Sequence, residues 1–130
     1  MKKIVSILLV IIAILATSLS ANARNLETGP LSGNIGKYKI VMNLTFNSQN
    51  HTVSGWYYYK SKGSKNKISV SGTYYGDEPG GDLNLTEKVN GKVTGRFKGE
   101  FGFGNRVTHV TGTWSSPSGK TMEWYADNAY

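Results

Sequence analysis

The sequence predicts an all-β fold: a small antiparallel meander, closed or nearly closed into a barrel of about seven or eight strands. Three observations predict it. Beyond residue 34 the apolar residues recur with period two, the period of a strand with one buried face. The connections between apolar runs are short and rich in Gly, Asn and Ser, which makes neighbouring runs antiparallel. A five-residue phrase also occurs four times: Val53-Ser54-Gly55-Trp56-Tyr57, Val70-Ser71-Gly72-Thr73-Tyr74, Val93-Thr94-Gly95-Arg96-Phe97 and Val110-Thr111-Gly112-Thr113-Trp114. Each copy reads valine, hydroxyl residue, glycine, any residue, aromatic. The glycine spacings are 72−55 = 17, 95−72 = 23 and 112−95 = 17. The chain therefore reads as two repeats of about 40 residues. A two-sheet sandwich is the alternative, because it needs the same alternation.

Residues 1–23 read as an export signal. Lys2 and Lys3 give a positive start, Ile4 to Leu15 is almost wholly apolar, and Ala21-Asn22-Ala23 has the small-x-small form of a cleavage site. The apolar run is short for a membrane span. The chain has no cysteine, so it offers neither a lipid-anchoring thiol nor a disulfide. Export from a bacterial cell follows as the expectation, to the periplasm or the outside. Cleavage after Ala23 leaves 130−23 = 107 residues, the size of one domain. The formal charge of +7 falls to 7−2 = +5 without Lys2 and Lys3. That excess favours anionic surfaces, such as envelope glycans or acidic proteins. The basic residues are spread along the chain, except Lys60, Lys62, Lys65 and Lys67. These four share a Gly/Ser/Asn loop and read as a solvated hairpin tip. No nucleic-acid partner is expected.

Residues 24–34 hold Gly, Pro and Asn and read as an extended lead-in to a single domain over 35–130. In the first strand Tyr38, Ile40, Met42, Leu44 and Phe46 alternate with Lys39, Asn43 and Thr45. Val53, Gly55, Tyr57 and Tyr59 share a face of the second, and Ile68, Val70, Gly72 and Tyr74 of the third. Leu83 and Leu85 mark the fourth, and Val93, Gly95, Phe97, Gly99 and Phe101 the fifth. Val110, Gly112 and Trp114 mark the sixth, Met122 and Trp124 the seventh. Met42-Asn43-Leu44-Thr45 aligns with Leu83-Asn84-Leu85-Thr86, so each repeat is a three-stranded meander. Asn90-Gly91 and Gly104-Asn105 are hairpin-turn dipeptides. At Asn90-Gly91 the apolar faces keep parity only with a bulge or an odd loop, which a type I turn with left-handed Gly91 supplies.

Glycine in mid-strand normally weakens a strand. Here it falls on the apolar face, two residues from an aromatic. Pairing Tyr57 with Gly72, Gly55 with Tyr74, Phe97 with Gly112 and Gly95 with Trp114 puts one register on both hairpins. Each ring then covers the bare backbone opposite it, a device found where sheets bend strongly.

The two Val-Ser-Gly-x-Tyr phrases, seventeen residues apart, resemble consecutive strands of avidin-like barrels, and are similar to the wider class of lipocalin-like meander barrels. The resemblance implies a closed up-and-down meander. Avidin-like proteins bind biotin through a polar cluster at one barrel end and through tryptophans. No such cluster maps residue by residue onto this sequence, so biotin binding is not implied.

Catalysis is not expected. There is no cysteine nucleophile, and His51 and His109 occupy unrelated positions. Glu87, Glu100 and Glu123 are separated along strands, and no pair is assigned to glycoside chemistry. Asp77, Glu78 and Asp82 cluster beside Pro79-Gly80-Gly81, but without the regular ligand alternation of a calcium loop. No metal or cofactor is expected. The binding expectation rests on the polar face, where Trp56 and Tyr58 point away from Val53, Gly55 and Tyr57. In the register above, Trp56 faces Thr73, Tyr58 faces Ser71, and Tyr75 lies close by. Trp56, Tyr58, Thr73 and Tyr75 would then form an aromatic platform for a protein or a glycan. Two alternatives stand beside it: a carrier of a small apolar ligand inside the barrel, and a small outer-membrane barrel. Membrane association is the less favoured of these.

Overall fold

Among the described residues, the alternating segments form nine strands in a computed structural model of the chain. The structure describes residues 25–77, 80–103 and 107–128, with only the backbone of Asp77 and Phe103. The expected export signal, the Gly104-Asn105 turn and most of the acidic-loop tip at 78–79 lie outside the described residues. The strands are β1 (Asn25–Glu27), β2 (Leu31–Ile35), β3 (Tyr38–Asn47), β4 (Thr52–Tyr59), β5 (Ile68–Asp77), β6 (Gly80–Val89), β7 (Lys92–Phe103), β8 (Val107–Ser115) and β9 (Thr121–Asp127).

Every pairing is antiparallel. Sequential neighbours pair from β2 to β9, and β9 pairs back onto β2, closing an eight-stranded barrel. This is the expected closed meander, and no second sheet of a sandwich is present among the described residues. β1 is the extra strand. It lies on the edge of β3 that β2 leaves free, pairing Leu26 with Phe46. Thr28 joins the two segments: its N–H donates to the Leu44 carbonyl (2.8 Å) and its Oγ1 accepts from the Leu44 N–H (3.0 Å).

The expected lead-in is therefore part of the wall. Leu31, Gly33 and Ile35 face inward, and β2 closes the barrel through Gly33 opposite Ala126. The seam is tight enough that a Cβ on Gly33 would stand 1.8 Å from the Tyr125 carbonyl oxygen. Only a residue without a side chain fits there.

The expected register is corrected in both hairpins. Tyr57 pairs with Ile68 and Val53 with Gly72, so β5 is slid four residues from the expected Tyr57–Gly72 pair. Phe97 pairs with Trp114 and Gly99 with Gly112, a slide of two residues. Both slides are even, so the paired side chains keep their expected faces; the exceptions are Val93 and Thr94, where a bulge against β6 interrupts the alternation. The two hairpins do not share one register. The β4–β5 ladder follows a connection over residues 60–67, whereas the β7–β8 ladder shifts register between Gly102 and Phe103, and such features set hairpin register. Ring-over-glycine packing survives at one expected place: a Cβ on Gly95 would meet the Trp114 indole at 2.4 Å.

The Asn90-Gly91 turn also differs from expectation. Both residues have positive φ (53° and 80°), as in a type I′ turn rather than type I. Parity is restored further along, where the β6–β7 register shifts between Glu87 and Lys88. Thr94 is the additional residue of that bulge, because Lys88 pairs with Val93 and Glu87 with Gly95.

The barrel interior is filled. Phe46, Tyr57, Phe97 and Trp124 are among its largest fully buried side chains. Phe97 stands edge-on to Trp124 at 4.8 Å and to Tyr57 at 5.4 Å, and Phe46 lies 5.1 Å from Phe101. The connections β2–β3, β4–β5, β6–β7 and β8–β9 lie at one end of the barrel, called the upper end here. The connections β3–β4, β5–β6 and β7–β8 lie at the lower end.

Candidate functional site

Trp56 and Tyr58 alternate with inward Gly55 and Tyr57 on β4, so both stand on the outer wall. Their rings stack, with centroids 5.9 Å apart and planes 18° from parallel. The ammonium of Lys67 lies 4.3 Å from the centre of the Trp56 indole, close enough for a cation–π contact. Both aromatics are half-buried. Across the ladder Trp56 faces Asn43 and Ser69, and Tyr58 faces Val41.

The register slide divides the expected platform. Thr73 now faces Thr52 on β4 and Asn84 on β6, and Tyr75 faces Asp82. Tyr75 lies six residues along β5 from Ser69, the partner of Trp56, a separation of about 20 Å at the rise of an extended strand. Trp56 and Tyr58 thus form one compact stack near the upper end, while Thr73 and Tyr75 lie towards the lower end. Tyr75 is 81 % exposed and is not part of the stack.

A second cluster went unrecognised in the sequence. Glu87 points into the upper end of the barrel and is 5 % exposed. Its Oε1 accepts from the Tyr57 hydroxyl in a short hydrogen bond and from the Trp114 indole N–H at 3.3 Å. Its Oε2 accepts from Thr94 Oγ1 at 2.6 Å. The β-bulge explains the third bond, since it turns Thr94 towards the carboxylate. Burial, and then the adjacent Glu87 carboxylate, raise the Tyr57 phenol far above its ordinary value. Burial also raises Tyr59. The signal for Glu87 was parity: it follows Leu83 and Leu85 on the inward face.

From this cluster an aromatic path leads outward. Tyr59 stands edge-on to Tyr57 at 5.5 Å, and Tyr38 edge-on to Tyr59 at 6.1 Å. Tyr38 is 45 % exposed, so this expected interior ring sits at the rim. Tyr38, Tyr59, Ser61 and Lys62 line a shallow hollow of about 240 Å³. Glu87 already receives three neutral donors, so the cluster works as an internal brace for the upper end. Among the described residues, no group of three or more His, Cys, Asp or Glu is placed to hold a metal ion.

Comparison of the chain with protein-family models finds no match, and comparison with curated proteins finds none either.

Proposed function

We propose that the protein is an exported binding module that contacts a protein or glycan partner through the Trp56–Tyr58 stack on the outer wall of β4. One observation carries the reading. Two large aromatic rings stand half-exposed, stacked and flanked by a lysine, on a wall whose other outward positions are mostly Ser, Thr, Asn and Lys. Rigid aromatics offer contact area at low entropic cost, which suits recognition. The export signal expected at residues 1–23 supports a partner met in the periplasm or outside the cell. The phrase that occurs four times serves as scaffold, because its valine, glycine and aromatic positions mostly face inward.

Two observations weigh against the alternatives. Packed rings occupy the interior that an apolar ligand would need. The outward positions of the wall, such as Asn43, Ser71, Asn84, Lys98 and Thr113, would face lipid in an outer-membrane barrel, where an apolar band is required.

Tryptophan emission tests the reading. Trp114 and Trp124 are buried, at 9 % and 1 % exposure, so a soluble quencher reports chiefly on Trp56. A bound partner protects that emission, and Trp56→Phe removes the quenchable component. Trp56→Ala and Tyr58→Ala are expected to weaken binding by about 2 kcal/mol or more each. Retention of full affinity by both variants for every partner found would remove the stack from the site.

A further inference from the structure

Among the described basic residues, all but Lys98 gather at one end of the barrel although they are scattered in sequence. The β4–β5 connection carries Lys60, Lys62, Lys65 and Lys67 to the upper end. Neighbouring turns and strand ends add Lys37 and Lys39, Lys88 and Lys92, and Arg96 and Lys120. Of the described carboxylates near that end, Glu87 points inward and is buried, which leaves Glu123 outside. The exposed carboxylates Glu27, Asp82, Glu100 and Asp127 lie towards the lower end. The hairpin tip expected to be merely solvated is thus one sector of a basic rim.

The aromatic stack belongs to this rim. Lys67, the last residue of the β4–β5 connection, covers the Trp56 indole, and Lys39 shares the outward face of β3 with Val41, the partner of Tyr58. The hollow between Tyr38 and Tyr59 opens on the same end with Lys62 in its wall. The rim therefore has two aromatic surfaces, each with an ammonium beside it.

We propose that the partner is a linear acidic glycan, a polymer of uronate or sulfated sugars, lying across the Trp56–Tyr58 stack and along the lysine rim of the upper end. The proposal rests on the reading of the stack as a binding surface and names the partner's chemical class. A pyranose presents a C–H patch to an aromatic ring while its carboxylate or sulfate reaches outward. Ring and ammonium side by side match both features. Repeated charges along the polymer match lysines distributed around a rim, and the exposed carboxylates at the lower end orient the barrel by repulsion. A lipid surface fits less well, because the upper connections are built of Lys, Ser, Gly, Asn and Pro, and the exposed apolar residues beside them, Tyr38 and Val89, stand singly on separate strands rather than as one wedge.

The test is affinity electrophoresis and calorimetry of the exported protein with alginate, dextran sulfate and uncharged dextran. Anionic phospholipid vesicles and single-stranded DNA are run alongside. Alginate and dextran sulfate are expected to bind and dextran not, with affinity falling at least about tenfold from low to high salt as counterions are released. Lys65→Gln with Lys67→Gln is expected to weaken both acidic polymers about fivefold or more. Lys98→Gln, which removes one charge from the mid-wall, leaves them unchanged. Equal weakening by Lys98→Gln shows a net-charge effect and overturns the proposal. Binding of dextran through Trp56 as tightly as alginate overturns the acidic class while leaving the stack as a site. Loss of binding in the lysine variant alone, with Trp56→Ala and Tyr58→Ala unaffected, removes the stack and with it the glycan geometry. Binding of DNA or vesicles as tight as that of alginate, or binding of none of the polymers, overturns the proposal as well.

Discussion

At the upper end of the barrel the wall carries lysines outside and a hydrogen-bonded carboxylate inside. At the lower end the wall carries exposed carboxylates, and the interior is built of aromatic rings: Tyr74 stands edge-on to Phe46 and Phe101 at 5.0 and 5.6 Å, and Phe46 and Phe101 are tilted at 5.1 Å. The two ends are therefore held by different physics. Apolar burial and ring packing hold the lower end, at about 25 cal/mol per Å² removed from water. The upper end depends on satisfying Glu87, whose desolvation is offset by Tyr57, Thr94 and Trp114. A packed apolar end tolerates changes of pH and salt. A braced polar end lets the barrel finish in a rim of charge without opening its core.

The comparison can be broken at the lower end first. Phe46→Ala is expected to cost about 3–5 kcal/mol in urea unfolding, since it empties space among packed rings. That loss should be the same at neutral and mildly acidic pH. At the upper end Glu87→Gln keeps the shape but replaces the charged acceptor and puts an amide donor opposite donors. A loss of about 1–3 kcal/mol is expected, with a changed near-UV signal from Trp114. A neutral effect of Glu87→Gln would mean that the brace carries no stability.

Alkali sharpens the contrast further. The folded Tyr57 phenol titrates above its ordinary value of 10.0. A group whose folded pKa is raised contributes stability that is complete below the unfolded pKa and lost as pH rises above it. Stability is thus expected to fall above pH 10, by up to about 1.4 kcal/mol per pH unit, from Tyr57. Phenolate absorbance should show Tyr57 silent until the barrel unfolds. The smallest expected effect has the opposite sign. Asp82 and Glu100 lie directly opposite across β6 and β7. Like charges so placed repel, and Asp82→Asn is expected to stabilise the barrel by about 0.2–1 kcal/mol, read as a higher urea midpoint.

Much of the wall was legible because a strand writes its burial into the chain with period two. Ile40 to Phe46 and Gly95 to Phe101 took the faces their alternation indicated. β2 was missed because its alternation covers only Leu31 to Ile35 and follows Pro30. Tyr38 has the parity of the core but lies at a strand end, where the barrel opens to solvent. Of the binding residues, Trp56 and Tyr58 were legible from parity alone, being two apart on one strand. Thr73 and Tyr75 were joined to them only through an expected register, and register is a relation between strands. Glu87 shared the inward parity of Leu83 and Leu85, but its charge argued for solvent, and its donors come from β4, β7 and β8.

The sequence by itself determined the all-β class, the short antiparallel connections and the side of the wall on which most residues fall. Those properties are local: they follow from alternation and turn chemistry within a few residues. The tertiary structure decided the register, the closing seam at Gly33, the partners of Glu87 and the gathering of dispersed lysines at one end. These depend on which strands become neighbours and how far each slides. In a closed barrel that is set by turns, bulges and the fit of the last strand to the first, not by any one segment.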